Sequence, residues 1–251
     1  MNMAQTRLPI TKTPAPAGRR TQGGAATTDV VISATVGGNA NVFPDILRLH
    51  VPKGAVVADV TYGKGVFWRH VPADDYIVLP SDLQTGTDAT ALPYEDESLD
   101  ALILDPPYME GLFRRSKSHM AGSGTHAAFR KHYSNGQATD SDGPKWHDAV
   151  LDLYHRAGAE AKRTLRTGGA FIVKCQDEVS ANRQRLTHVE LIGHFEARDF
   201  YCKDLFVVVR ANRPGVSRVK KQVHARKNHS YFLVFVKCTT GKGRLAKSTA
   251  V

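Results

Sequence analysis

Leu99-Asp-Ala-Leu-Ile-Leu-Asp-Pro-Pro-Tyr-Met-Glu-Gly111 is the stretch on which the reading of the fold turns. Its apolar run, Ala101 to Leu104, is short and bounded, and reads as a buried strand. The run stops at Asp105, Pro106, Pro107 and Tyr108. Two successive prolines cannot donate to a sheet ladder and hold φ at about −65°, so the strand ends there. The result is a stiff hook at a strand's C-terminal end. It carries a carboxylate, the Pro106 carbonyl and a phenol ring. Ligands of open α/β sheets bind just outside such strand ends. Two acceptors beside a stacking surface suit a flat ring with an exocyclic amino group. A strand running into a proline-rich turn without chemistry reads the same way.

Upstream, Ala55-Val-Val-Ala-Asp59 reads as another buried strand ending on an acid. Val60-Thr-Tyr-Gly-Lys-Gly65 follows, then Val66-Phe-Trp-Arg-His70, which can start a helix. Strand, glycine turn and helix bring backbone close to a ligand. A tight turn with no ligand has the same spacing. Tyr76-Ile-Val-Leu-Pro-Ser-Asp82 is the next strand, and its acid lies 23 residues beyond Asp59. A carboxylate at that distance can accept from ribose hydroxyls, or is simply a surface acid. Thr87 to Asp100 carries Asp88, Ala89 and an acidic patch. Phe43-Pro-Asp-Ile-Leu-Arg-Leu-His50 reads as a short helix with Pro44 in its first turn. Val30 to Val36 reads as a short strand, and Gly37-Gly38-Asn39 as punctuation.

Downstream, 109–145 is rich in Gly, Ser and His and reads as a mobile insertion leaving the catalytic edge, a substrate-embracing loop or only a surface one. It holds Arg114, Arg115 and Lys117. Trp146 to Leu165 has apolar residues at helical spacing and is closed by Thr167-Gly168-Gly169. Ala170 to Cys175 is a strand whose end, Lys174-Cys-Gln-Asp177, shares the hook's edge if the strands are parallel; Lys174 and Gln176 receive at most a minor positioning role. Asn182 to Ala197 reads as a helix. Phe200 to Val209 and Tyr231 to Val236 read as the last two strands. Between them, seven of the 19 residues 210–228 are Lys or Arg, including Arg213, Arg218, Lys220, Lys221, Arg226 and Lys227.

The 251 residues suffice for one large domain with tails. Residues 1–40 are rich in Thr, Ala, Gly and Pro and read as a disordered basic tail. Residues 41–238 read as the folded domain and 239–251 as a C-terminal tail. No run approaches a membrane-spanning length, and no secretory h-region opens the chain. The three cysteines have no paired spacing, which suits a reducing cytoplasm and speaks against a metal site. The net charge of +10 lies wholly in residues 205–251, which hold 11 basic and no acidic residues. Such asymmetry points to a polyanion, most simply nucleic acid, or is a solvated basic face or tail.

Asp105-Pro106-Pro107-Tyr108 resembles the catalytic motif of the amino-methyltransferases, S-adenosylmethionine enzymes that act on adenine N6 or cytosine N4 in DNA, with relatives acting on RNA. Asp59, Gly63 and Gly65 match the family's Asp-x-x-x-Gly-x-Gly turn, although Val-Thr-Tyr-Gly-Lys-Gly departs from its commoner Pro-Phe-x-Gly-Ser-Gly form. The resemblance implies a Rossmann-like class I methyltransferase fold. Its seven-stranded, mostly parallel sheet would have the order 3-2-1-4-5-7-6, strand 7 antiparallel, with helices on its faces. It implies S-adenosyl-L-methionine held by Asp59, Thr61, Gly63, Gly65, Asp82, Asp88 and Ala89. Asp105, Pro106, Pro107 and Tyr108 would be catalytic. The cofactor turn precedes the hook, as in the gamma-like arrangement. DNA is the expected substrate, adenine N6 before cytosine N4, with RNA-base methylation as the alternative. A nucleic-acid-binding protein that kept the fold and lost catalysis is a third reading.

Overall fold

The computed structural model describes residues 23–24, 28–108, 143–211 and 221–239. Residues 1–31 form one unit, whose described part contains no helix or strand. All regular elements belong to the second unit, which starts at Ile32.

A seven-stranded sheet organises that unit. Its strands are β1 (Ala34–Val36), β2 (Val56–Asp59), β3 (Ile77–Pro80), β4 (Leu99–Leu104), β5 (Leu165–Cys175), β8 (Phe200–Val209) and β9 (His229–Lys237). A separate hairpin, β6 (Glu178–Ser180) and β7 (Arg183–Arg185), follows β5. The order across the sheet is β3-β2-β4-β5-β9-β8-β1, with β9 alone antiparallel to its neighbours. In the numbering of the expected fold, β2, β3, β4, β5, β8 and β9 stand as strands 1, 2, 4, 5, 6 and 7. The α/β class and the antiparallel seventh strand are therefore as expected, and the order departs at both edges. No described strand lies outside β3, because the Thr87 to Ser98 segment has Pro93 and an acidic run instead of a pairing apolar stretch. At the other edge β1 pairs in parallel with β8. It is the only strand formed from Val30 to Val36, and it places part of the expected tail in the sheet.

One face carries α1 (Asn39–His50) and the 3₁₀ turn Phe67–His70. α1 buries Val42, Phe43, Ile46 and Leu47, spaced for one helical face. Phe43, Phe67 and Phe232 meet with ring centroids 5.2–6.0 Å apart. The helix begins at Asn39, after Gly37 and Gly38, so Pro44 lies inside it and not in its first turn. The helix expected after the glycine turn is only the 3₁₀ turn. The other face carries α2 (His147–Thr164) and α3 (Thr187–Glu196), packed on Phe171, Phe200 and Phe235. The helix expected from Asn182 starts five residues later, because Glu178 to Arg185 folds as the hairpin. Its tight turn is made by Ala181 and Asn182, both at positive φ, the pairing that two-residue hairpins require.

Candidate active site

The C-terminal ends of β2, β3, β4 and β5 meet at one edge of the sheet. Register fixes their heights: Asp59 stands beside Ile103, and Leu104 beside Val173. Asp59 is 2% exposed, and both of its oxygens shape the turn that follows. Oδ1 accepts from the Thr61 N–H at 3.1 Å, and Oδ2 accepts from the Trp68 Nε1–H at 2.8 Å. Gly63 and Gly65 have φ of 53° and 62°, a region that side chains strain. A Cβ on Gly65 would fall 2.6 Å from the Tyr62 hydroxyl oxygen, so packing inside the turn requires that glycine. A Cβ on Gly63 would meet nothing nearer than the Thr61 carbonyl at 3.9 Å. That side of the turn has room for a ligand.

Thr61 joins this turn to the hook. The Asp105 N–H donates to Thr61 Oγ1 at 2.7 Å, and the same hydroxyl reaches Asp59 Oδ1 at 3.4 Å. Two segments 44 residues apart are thus in direct contact. Pro106 and Pro107 are buried; Asp105 and Tyr108 are half-buried. The Tyr108 hydroxyl donates to Asp105 Oδ1 at 2.6 Å. The hook and the Asp59–Gly65 turn are therefore adjacent at one edge of the sheet.

The edge is electrostatically unusual. Asp59, Lys174 and Ser230 lie on the α1 face of the sheet, and Asp105, one residue past β4, continues the same face; the four step diagonally, since Asp59 pairs with Ile103 and Lys174 with Phe232. Lys174 is 1% exposed, donates to Ser230 Oγ, and lies 4.6 Å above the Phe232 ring centroid. Burial pushes Asp59 up to about 7, against its bonds from Trp68 and Thr61. Burial also pushes Asp105 up to about 6, against the Lys174 charge and the Tyr108 hydrogen bond. Burial draws Lys174 down to about 8, opposed by Asp105. Losing solvent disfavours every charged form, and opposite charges give part of it back. Cys175, on the other face, is fully buried, and burial drives its thiol far above the ordinary range; it is no nucleophile.

Asp82 stands near the glycine turn, since Tyr62 N–H donates to Ser81 O at 3.0 Å. Its Oδ1 accepts from the Gln84 and Thr85 N–H groups and caps a 3₁₀ turn at Leu83–Thr85. Asp88 lies in an exposed turn, its Oδ1 accepting from the Thr90 N–H and hydroxyl, and Ala89 is half-buried. Both acids thus have local structural roles. Of the expected nucleic-acid contacts, Lys221, Arg226 and Lys227 flank the start of β9 beside the end of β5. Arg114, Arg115, Lys117, Arg213, Arg218 and Lys220 lie outside the described residues.

Sequence reasoning missed two things here. The hairpin sets Arg183 and Arg185 at the same edge, and His224 of the basic segment reaches Asn182 O at 3.1 Å. His147, 1% exposed, lies between Glu178 Oε1 at 2.8 Å and Glu190 Oε2 at 3.0 Å. The cations divide by place. At the opposite edge, Lys53, Lys162, Arg163, Arg166 and Lys237 all pair with acids. Around the site, Arg183, Arg185, Arg210, Lys221, Arg226 and Lys227 have no acid partner among the described residues. No group of three or more His, Cys, Asp or Glu among those residues is placed to hold a metal ion. No described helix is long and apolar enough to cross a membrane.

No family model and no curated protein matches this sequence. Solved structures do. TrmN from Thermus thermophilus aligns over 80% of this chain and 50% of its own, at 14% identity and a TM-score of 0.45. The [4+2]-cyclase SpnF aligns over 79% and 81%, at 14% identity and 0.46. A candidate DNA modification methylase, also from Thermus thermophilus and complexed with S-adenosyl-L-methionine, aligns over 73% and 56%, at 14% identity and 0.38. The chain spans about half the length of the first and third.

Proposed function

We propose that this chain is an S-adenosyl-L-methionine-dependent methyltransferase of exocyclic amino groups in nucleic-acid bases, with DNA adenine N6 the first choice and cytosine N4 the second. The observation that carries the reading is the bond from the Asp105 N–H to Thr61 Oγ1, 2.7 Å long, which fastens the hook to the glycine turn. A base amino group gripped by the hook would lie against whatever the turn holds.

The residues fit the cofactor at the open side of Gly63, beside Thr61 and near Asp82. Asp59 would serve indirectly, by fixing the turn, and Asp88 and Ala89 would lie at its outer end. When bound, the cofactor supplies an already activated sulfonium methyl group. The chain's own task is alignment. An exocyclic amine is a poor nucleophile because its lone pair is delocalised into the ring. Asp105 and the Pro106 carbonyl would accept its two N–H bonds and aim the lone pair. Tyr108 would stack on the base, and its hydroxyl holds Asp105 in place. Orientation of this kind supplies much of the acceleration in such a transfer. On a duplex the base would be flipped out first. Lys221, Arg226 and Lys227, with Arg114, Arg115, Lys117, Arg213, Arg218 and Lys220, would bind phosphates.

The test is transfer of tritiated methyl to duplex DNA, single-stranded DNA and RNA, with mass spectrometry of the product nucleoside. N6-methyladenine in DNA is the expected product. Asp105→Ala should lower transfer by at least about 100-fold, the scale of one lost alignment contact, while sparing DNA binding. Full activity in that variant would refute the mechanism. Product in RNA alone would move the reading to an RNA-base enzyme. Binding without transfer would leave a non-enzymatic binding protein.

A further inference from the structure

The row of polar groups across the sheet contains a cation that base methylation does not by itself require. The β4–β5 ladder ends at Leu104 beside Val173; the residues that follow are Asp105 and Lys174, which alternation puts on the same face. Its ammonium is enclosed by the Phe232 ring and Ser230 Oγ, both on β9. A buried lysine is costly unless a charge or a hydrogen bond compensates it. Ser230 supplies a hydrogen bond but no charge. The charged and titratable groups acting on Lys174 are Asp105, Cys175 and Arg210. Only Asp105 supplies stabilising negative charge, because Cys175 stays a thiol and Arg210 repels. Asp105 in turn faces Asp59, a second buried carboxyl group, and Tyr108, which donates to it.

We propose that Lys174 is a positioning residue of this site: its buried ammonium is the counter-charge that keeps the Asp105 carboxylate ionised, and therefore an acceptor, inside the hook. The inference rests on the reading above, and it gives the row a purpose. A carboxylate accepts at both oxygens, whereas protonation turns one of them into a donor that would face the incoming base amino group. Placing a base over the hook removes more water from Asp105 and favours protonation further. A fixed ammonium, anchored on a neighbouring strand by Ser230 and Phe232, opposes that without competing for the substrate's two N–H bonds. Tyr108 cannot do this alone, because its hydroxyl stabilises one oxygen without supplying charge.

The experiment follows the Asp105 carboxyl by ¹³C NMR in protein labelled at aspartate, with Asp105→Asn identifying the resonance. Lys174→Met should move the Asp105 midpoint up by about one pH unit, a tenfold gain in proton affinity, as expected for a lost neighbouring opposite charge. In methyl-transfer assays the acidic limb of the pH profile should move up by the same amount, with activity recovering at higher pH. A simple packing defect would lower the rate at all pH values and leave the midpoint in place. If Lys174→Met fails to fold, the reciprocal measurement decides. In Asp105→Asn, a near-isosteric change, the Lys174 ammonium followed by ¹⁵N NMR should titrate at lower pH, since coupling between two sites is the same from either side. An unchanged Asp105 midpoint, or an unchanged Lys174 midpoint in the reciprocal arm, overturns the assignment. The NMR arms need no substrate. A chain that shows the coupling but methylates no nucleic acid would refute the function and leave the charge pair standing.

Discussion

Thr61 uses one hydroxyl twice, as donor toward Asp59 and as acceptor for the Asp105 N–H. Thr61→Val keeps the shape and removes both bonds. It leaves a half-buried N–H unpaired, which costs about 1–3 kcal/mol. The expected outcome is a loss of stability of that size in denaturant titrations, together with a loss of methyl transfer larger than the loss of cofactor binding. Such a bond is invisible in the sequence, because the motif that makes Thr61 a cofactor residue says nothing of its contact with the hook 44 residues on. The hook was legible because Pro106-Pro107 can end a strand in few ways, and Gly63-Lys-Gly65 because few residues enter the left-handed region. Lys174 reads in the sequence as at most a minor positioning residue, for the opposite reason. A lysine closing an apolar run looks like a solvent-facing strand end, and only the pairing of β5 with β9 shows it buried.

Elements are joined here by contacts that a pattern of apolar residues does not reveal. His147, at the start of α2, bonds to Glu178 on β6 and Glu190 on α3. Burial works against its charged form, but the bonds and charges of the two glutamates outweigh this and raise its pKa. A histidine raised in this way adds stability that is fully present below its unfolded pKa of about 6.5 and is lost as pH rises through the folded value. His147→Gln should therefore lower Tm more at about pH 5.5 than at about pH 8.5, as thermal melts across that range would show. Helices α2 and α3 also approach closely at Gly158, where a Cβ would fall 2.2 Å from the Phe195 ring. Alanine gains about 1 kcal/mol of helix propensity over glycine. Phe195 is 1% exposed and has no free space to enter, so overpacking at about 1–3 kcal/mol outweighs that gain. Gly158→Ala should destabilise in denaturant titrations. The long periodic helix was legible from Trp146 onward, and the strands from their apolar runs. The hairpin was not: Glu178 to Arg185 is polar, and Ala181-Asn182 lacks the glycine that marks a tight turn.

For the molecule as a whole, the sheet has a chemical end and a structural end. Lys162, Arg166 and Lys237 pair with acids at one end, and under the proposed function the cations at the other end would meet the phosphates of the substrate. Replacing Lys221, Arg226 and Lys227 with alanine should weaken nucleic-acid binding and flatten the salt dependence of log K by up to about 3, near one unit per lost phosphate contact. Fluorescence anisotropy at several salt concentrations measures both. The uneven placement has a kinetic side as well. If the site end carries the excess positive charge, it experiences a torque in the field of a charged rod, and turns to face it before they touch. Encounters then arrive already oriented, so added salt should slow association in stopped-flow mixing far more than it hastens escape.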